Sequence, residues 1–439
     1  MDVSPVMATV ILFGVTFSLL ALGLPIAFAL GGSGILVAII LWGPKSIMVA
    51  YTSILGYGFE FILVAIPLFI FMGVALERSG IAEALYTAIY MWSGGLRGGL
   101  AAGTVMISTI MAAMTGISGT ACVTMGLIAL PSMLKNKYDK NMAIGCIMGG
   151  AALGQLIPPS VIMIMLGLFA NISVGKLFAG GVFPGLLLSG LFILYILIRS
   201  KLQPNIAPAL AKEDRATWRE KLTSLKHVIL PVAIIVFVLG SIFSGIATPT
   251  EAAGVGAIGT LLCTLLSGKF TLQFVKEAAS KSMLITTMCI WLIFGAATLT
   301  SIYSGIGGPE LVKALVAGSE ANRWVVIVLM QVSLFVLGCF LDPAGILMLT
   351  IPVYMPIVIS LGFDPLWFGI VFTVNMEMAY LTPPFGFNLF YMKGIVPENI
   401  KMADIYRSSI PFVALQLLAL IIIIIFPSIS LWFPGVIFR

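Results

Sequence analysis

The sequence predicts an all-α polytopic membrane protein made of two inverted repeats, each with a re-entrant helical hairpin and a broken transmembrane helix. Three observations lead to this fold class. The 439 residues are 60% hydrophobic and 9% charged, whereas soluble domains carry about 25% charged residues. Many apolar runs are long enough to cross a bilayer. Prolines and turn-forming segments also recur in the two halves at a spacing close to 225 residues.

The continuous spans are predicted from apolar runs bounded by polar or helix-breaking residues. The first run has no basic residue before it and is longer than a signal-peptide core, so we expect it to be retained. The five cysteines lie in apolar segments without metal-type spacing, which favours packing roles. The predicted spans are residues 6–23, 25–42, 58–78, 177–199, 227–244, 250–266, 282–302 and 408–426.

Two further apolar segments, 98–134 and 324–361, have polar, turn-forming centres. These centres read TGISGT at 115–120 and FLDPAG at 340–345, and apolar residues flank each of them on both sides. Non-helical backbone is tolerated at membrane depth only where protein or a wet cavity surrounds it. We therefore predict two re-entrant hairpins whose half-helices join near the middle of the membrane.

Paired prolines interrupt two other apolar segments, 141–170 and 365–392. The interruptions read GQLIPPS at 154–160 and YLTPPFGFN at 380–388. Proline lacks an N–H, and its ring displaces the carbonyl four residues earlier, so each pair breaks its helix. The carbonyls released in this way belong to Gly154, Gln155, Ala379 and Tyr380.

The two halves repeat the same plan. An offset of 225 relates the Pro-Pro pair at 158–159 to the pair at 383–384, the hairpin centre at 118–120 to 343–345, and Pro131 to Pro356. The first hairpin enters from the basic side of the chain and the second from the opposite side, so the repeats are inverted. Inverted repeats with discontinuous helices are a recurrent plan of secondary transporters. The predicted division is a first repeat 1–199, a cytoplasmic connector 200–226 and a second repeat 227–439.

Orientation follows from the distribution of basic residues. The predicted crossings place 18 of the 23 Lys and Arg residues on one face, including those of the connector. The positive-inside rule therefore places both termini outside the cytoplasm. The connector mixes both charge signs and contains prolines, which favours a solvated linker over a lipid-binding patch. The net charge of +6 requires no nucleic-acid partner. The five basic residues of the other face are Lys45, Lys176, Lys313, Arg323 and Arg439.

The helix breaks predict an ion and substrate site, with plain packing kinks as the alternative. Released carbonyls suit a small hard cation, and half-helix N-termini suit an anion. Asp342 precedes Pro343, so a helix cap explains it, but a carboxylate at membrane depth also needs a partner, for which sodium is the natural choice. We favour the ligand role for Asp342. The hydroxyls of Ser118 and Thr120 and the amides of Gln155 and Asn388 can either bind ligands or satisfy the loop backbone.

Four other polar residues have mostly local explanations. Glu251 fits a capping box with Thr248 as the N-cap, Glu60 fits a membrane interface, and His227 fits the surface. Glu377 precedes the second break and either faces a cavity or pairs with a neighbour.

Four segments together identify a family. FILVAIPLFIFMG at 61–73, LGQLIPPS at 153–160, IATPTEAAGVGA at 246–257 and LTPPFGFNLF at 381–390 closely resemble the large membrane subunit of tripartite ATP-independent periplasmic (TRAP) transporters, the DctM-like family. The resemblance covers nearly the whole chain. It implies a sodium-driven importer of organic acids in the bacterial inner membrane, in which a transport unit with both hairpins and both broken helices moves as an elevator against a scaffold. It also implies two partners, a small four-helix membrane subunit and a periplasmic substrate-binding protein.

The resemblance implies two sodium sites and an adjoining substrate site, with sodium as the coupling ion and no cofactor. No arginine falls in mid-membrane, so a substrate carboxylate must be held by helix N-termini and hydroxyls. The implied first sodium site contains Ser118, Gly154, Ile157 and Pro158, and the second contains Asp342, Gly345, Ala379, Thr382 and Pro383. The implied substrate site contains Ser118, Gly119, Thr120, Gln155, Pro384 and Asn388.

Three other functions remain to be weighed. A stand-alone sodium–carboxylate symporter would share the inverted repeats and hairpins. A membrane-embedded enzyme would need an acid–base or metal constellation at one depth, which a single peripheral histidine and one hairpin aspartate do not provide. An ion channel does not need two mobile hairpins. We therefore expect a transporter and not an enzyme.

Overall fold

The computed structural model describes residues 3–210, 215–224, 226–317 and 322–438. Regular secondary structure within these ranges is helical, which confirms the all-α prediction. In the described part, six helices are long and apolar enough to span a membrane. Two basic residues used to assign topology, Lys212 and Arg439, and the side chain of His227 lie outside the described residues.

The first half of the chain forms ten helices in its described part, with short 3-10 turns before α3, before α4 and after α8. The helices are α1 Pro5–Ala21, α2 Ile26–Trp42, α3 Ile47–Gly58, α4 Ala65–Arg78, α5 Ile81–Ser93, α6 Gly99–Thr115, α7 Ser118–Lys135, α8 Lys140–Ala152, α9 Val161–Ala170 and α10 Val174–Leu202.

A short helix, α11, lies within the predicted connector, and ten helices follow it in the described part of the second half. They are α11 Trp218–Ser224, α12 Lys226–Phe243, α13 Pro249–Leu266, α14 Leu272–Gly305, α15 Gly308–Ala317, α16 Arg323–Gly338, α17 Pro343–Ser360, α18 Pro365–Ala379, α19 Phe387–Lys393, α20 Met402–Ile425 and α21 Ser428–Ile437.

The predicted hairpins and breaks are confirmed. Helices α6 and α7 form the first hairpin around a turn at 116–117, the first tip, and α16 and α17 form the second around 339–342, the second tip. Residues 153–160 between α8 and α9 are the first break, and residues 380–386 between α18 and α19 are the second. Both Pro-Pro peptide bonds are cis.

The helices of the two halves correspond in order, except that α3 and α4 correspond to one helix and α21 has no counterpart among α1–α10. Helices α7 and α17 begin 225 positions apart, as do α8 and α18. In the first half α3, a turn and α4 replace the continuous α14. Glycines at 56 and 58 weaken the helix there, whereas the equivalent positions 281 and 283 hold lysine and methionine. Helix α14 therefore extends beyond the predicted span 282–302.

The sequence did not predict α3, α5, α11, α15 and α21. Each of them is shorter than a membrane span, so a search for apolar runs of spanning length passes over them.

The helices pack as two groups. The scaffold group consists of α1–α5 and α12–α15, and the hairpin group consists of α6–α10 and α16–α21. The groups touch mainly where α4 and α5 lie against α6, and where α14 and α15 lie against α17. Helix α18 is buried at every position from Trp367 to Ala379, as expected for a helix surrounded by protein. The breaks therefore lie inside the hairpin group.

Candidate ion and substrate site

The first tip lies directly against the first break. A Cβ built on Gly154 would lie 3.3 Å from the backbone nitrogen of Ser118, and one on Gly116 would collide with the carbonyl oxygen of Pro159. Gly116 has a φ of +61°, a left-handed conformation that glycine adopts without strain. Every residue from 151 to 160 is buried. Because Gly116 and Gly154 have no side chains, the backbones of the first tip and the first break pack directly against each other.

The first tip also starts a helix without a side-chain cap. Ile117 occupies the N-cap position of α7 and makes no capping hydrogen bond. The first N–H groups of a helix have no partner within it and carry partial positive charge. The hydroxyls of Ser118 and Thr120 lie in the same turn. This end of α7 therefore offers hydrogen-bond donors to an anion.

Asn388 connects the first tip to the second break. Its Nδ2 lies 2.9 Å from Ser118 Oγ and donates to the carbonyl of Met148 at 3.2 Å. Its backbone N–H donates to the carbonyl of Tyr380 at 3.1 Å, so that released carbonyl already has a partner. Asn388 is fully buried. The structure thus brings together two residues that are 270 positions apart in the sequence.

At the second tip, Asp342 caps α17. Its Oδ2 accepts the Gly345 N–H at 3.1 Å, which confirms the local explanation of this residue. The backbone N–H of Phe385 in the second break donates to the Cys339 carbonyl at 3.2 Å. The cap uses one carboxylate oxygen, so Asp342 can still offer the other to a cation.

Two more groups of the proposed second sodium site lie around this tip. A Cβ on Gly338 would lie 2.5 Å from the Cβ of Ala379, so the end of α18 packs closely against the second hairpin. Thr382 Oγ1 donates its proton to the Met378 carbonyl at 2.7 Å. Because the proton is used in this way, the lone pairs of that hydroxyl oxygen remain available to a cation.

The two breaks differ in enclosure. Residues 153–160 are all buried, whereas Pro383, Pro384 and Phe385 are exposed and Thr382 is half-buried. The structure therefore encloses the first break and leaves the second accessible from outside the hairpin group.

Glu377 and Gln155 both have buried polar atoms without a hydrogen-bond partner. Among the described residues, neither carboxylate oxygen of Glu377 has a partner, and Oε1 of Gln155 has none either. Glu377 is fully buried, and the predicted alternative of pairing with a neighbour is not observed among the described residues. The only sequence signal for Glu377 was a charge inside an apolar run.

Other sequence predictions have clear outcomes. The capping box of Thr248 and Glu251 is confirmed. Glu60 is exposed. The cysteines are free thiols, four of them buried, as packing roles predict. The structure places each tip beside a break, and the ligand roles of the residues assigned to sodium and substrate stay predictions.

Comparisons with known proteins agree with the resemblance. Residues 13–429 match the family model described as "Tripartite ATP-independent periplasmic transporter, DctM component". The chain is 31% identical to the C4-dicarboxylate TRAP transporter large permease protein DctM of Vibrio cholerae serotype O1, over 98% of each chain. It is 29% identical to the sialic acid TRAP transporter large permease protein SiaM of the same organism, over 95% of this chain and 96% of the relative.

One solved structure shows a similar fold. It is the crystal structure of the Alcanivorax borkumensis YdaH transporter, with a TM-score of 0.62, covering 89% of this chain and 90% of that one. The sequence identity is 16%, so the likeness concerns the fold alone.

Proposed function

Because the chain belongs to the DctM component family of tripartite ATP-independent periplasmic transporters, we propose that it imports a small organic acid together with sodium ions. It is the large permease subunit of such a transporter, a membrane protein and not an enzyme. We place it in the bacterial inner membrane, where a small four-helix subunit and a periplasmic substrate-binding protein would complete the transporter.

The observation that carries the proposal is the pairing of each hairpin tip with a helix break. At the first tip the uncapped start of α7 presents N–H groups and the hydroxyl of Thr120, which suit a carboxylate. Both relatives described above are named for the transport of acids, which supports an acid as the substrate class. Gly119, Gln155, Pro384 and Asn388 would complete the surroundings of the substrate.

Sodium ions would bind between each tip and the break beside it. Sodium is a hard cation that prefers oxygen ligands, and unwound backbone supplies them in sodium-coupled carriers. The second site would also hold a carboxylate, since Asp342 uses only one oxygen for its cap. The first site would consist of Ser118, Gly154, Ile157 and Pro158, and the second of Asp342, Gly345, Ala379, Thr382 and Pro383.

We propose that the hairpin group moves as one body against the scaffold group. Both breaks and both tips lie in the hairpin group, and their contacts with one another cross between the repeats, as in the pairs α7 with α19 and α9 with α17. A rigid displacement of this group would therefore carry an intact site. Both termini would face the periplasm, and 200–226 would connect the repeats 1–199 and 227–439 in the cytoplasm.

Reconstitution tests the proposal. The purified large and small subunits would be placed in proteoliposomes with an inward sodium gradient, and uptake of labelled C4-dicarboxylates and other acids would be measured with the binding protein outside. We expect uptake that requires both the gradient and the binding protein. Uptake that continues after the sodium gradient collapses would contradict the sodium coupling. Uptake of equal rate without the binding protein would identify a stand-alone symporter.

A further inference from the structure

A charged cluster lies where α4 and α14 of the scaffold group approach α7 of the hairpin group. The Glu77 carboxylate accepts hydrogen bonds from the Lys281 ammonium at 3.0 and 3.3 Å and from the Thr124 hydroxyl at 3.1 Å. The side chain of Glu77 is 16% exposed. Hydrogen bonds to ionised groups are stronger than neutral ones, and partial burial reduces their screening. The Thr124 bond is therefore a specific link between the two groups.

We propose that Glu77, Lys281 and Thr124 form a latch that holds the hairpin group in one of its two positions. This inference rests on the proposed movement, because Glu77 and Lys281 belong to the scaffold group and Thr124 belongs to the hairpin group. A displacement of several ångströms separates Thr124 from Glu77 and leaves the Glu77–Lys281 pair intact. Opening the latch thus removes one hydrogen bond and leaves Glu77 paired with Lys281.

The tips show which position the latch holds. The first tip lies near the end of α4, since a Cβ on Gly73 would be 2.7 Å from Thr115 Cα and α4 ends five residues later at Arg78. The second tip lies at the start of α2, since a Cβ on Gly345 would be 2.6 Å from Ile26 Cδ1. In the proposed topology the end of α4 and the start of α2 are both cytoplasmic. The latched position is therefore displaced towards the cytoplasm.

The sequences of the two repeats indicate that only one of the two positions of the hairpin group has such a latch. In an inverted-repeat transporter, the opposite position exchanges the contacts of the two halves. The equivalents of the latch residues are apolar or lack a side chain, and Leu349 and Ile302 are buried. No charge-assisted hydrogen bond can form among them. An offset of 225 takes Glu77, Thr124 and Lys281 to Ile302, Leu349 and Gly56.

The test measures the populations of the two positions. Spin labels would be introduced as noncanonical amino acids at positions 127 on α7 and 284 on α14, where both leucines are exposed, so that the native cysteines remain. Distances would be recorded in lipid nanodiscs for wild type and Thr124→Val. We expect two distances, and we expect Thr124→Val to lower the population of the latched distance relative to the other by about tenfold, which corresponds to about 1.4 kcal/mol.

A matched variant separates the latch from general effects of removing a hydroxyl. Thr109 bonds Ser189 Oγ at 2.8 Å entirely within the hairpin group, so Thr109→Val should leave the populations unchanged. If two distances are observed and Thr124→Val does not alter their populations, the latch is wrong and the proposed movement is still supported. A single distance in every variant, with and without sodium, would overturn both the movement and the latch.

Discussion

The two hairpin tips occupy equivalent positions but present opposite chemistry. Helix α17 begins after Asp342, whose carboxylate caps its own helix, whereas α7 begins after Ile117, which caps nothing. These two residues are 225 positions apart and are therefore equivalent in the repeats. A helix N-terminus attracts negative charge, which the protein itself supplies at the second tip. The two repeats therefore share a backbone plan but differ at this side-chain position, and this difference supports the proposal that the first tip binds the anion and the second tip binds a cation.

The breaks beside these tips differ in a related way. The first break is enclosed and the tip beside it carries no carboxylate, whereas the second break is accessible and the tip beside it carries Asp342. A carboxylate attracts sodium strongly in a partly dehydrated site. In the proposed sites, sodium binding at the first break would depend on geometry, and binding at the second would depend more on charge. The following substitutions test this division.

The largest effect should come from restoring a continuous helix. Pro158→Ala and Pro383→Ala each supply an N–H that can bond the carbonyl four residues earlier, which removes an oxygen from the proposed sites. We expect sodium-driven uptake to fall by about a hundredfold or more, as for other ångström-scale errors in a site. Pro204→Ala, an exposed proline of the connector, is the control and should transport normally. Equal losses in all three variants would count against a site at the breaks.

Much of this fold follows from the sequence because its main signals are local. Paired prolines break helices wherever they occur, and the capping box at Thr248 needs only four consecutive residues, so both were predictable. It was harder to predict which of two equivalent spans is one continuous helix and which is divided into two. The division of α3 from α4 depends on two glycines. Each glycine destabilises a helix by about 1 kcal/mol, and tertiary contacts determine whether the helix ends there.

Long-range side-chain pairs were not predictable. The sequence suggested hydroxyls and amides near the breaks, but nothing local indicated that Ser118 pairs with Asn388 of the other repeat. The link between Thr124 and Glu77 joins two helices whose relative position depends on the packing of the whole hairpin group. Such pairs require the tertiary arrangement, which one sequence does not supply.

The second prediction concerns a substitution that removes the charge at the second tip. Asp342→Asn keeps an oxygen that can cap α17, so folding should be nearly unchanged. Loss of the charge should raise the half-saturating sodium concentration by about tenfold for each 1.4 kcal/mol of lost attraction. Sodium-dependent uptake at matched protein levels measures this effect.

The chain offers a close control for this change. Asp364 also caps a helix that begins with proline, since its Oδ1 accepts the N–H of Leu366 at 2.7 Å, but it follows the opposite end of the 18-residue helix α17 from the second tip. Asp364→Asn should leave the sodium curve in place. If the dependence of uptake on sodium concentration is unchanged in Asp342→Asn, Asp342 acts only as a helix cap.

The third prediction concerns a substitution that gives the first tip a carboxylate cap like that of the second tip. Ile117→Asp should place a carboxylate over the N-terminus of α7 and compete with the substrate anion. We expect the half-saturating substrate concentration to rise by about tenfold, or about 1.4 kcal/mol, whereas sodium affinity should not fall, because a carboxylate attracts the cation. Ile117→Asn adds a neutral cap and should have a smaller effect. If both variants keep the wild-type substrate affinity, the uncapped end of α7 is not the anion site.

The smallest expected effect concerns a neutral ligand at the second break. Thr382→Val keeps the shape of the side chain but removes the oxygen whose proton is donated to Met378. Thr373 makes the same kind of bond, to the Gly369 carbonyl at 2.8 Å, within the buried part of α18. Loss of one neutral oxygen among several ligands should raise the half-saturating sodium concentration by about threefold, or about 0.65 kcal/mol. Thr373→Val should not change it, because that hydroxyl is away from the break. A threefold change in both variants would assign the effect to helix α18 as a whole, and no change in either would exclude Thr382 from the sodium site.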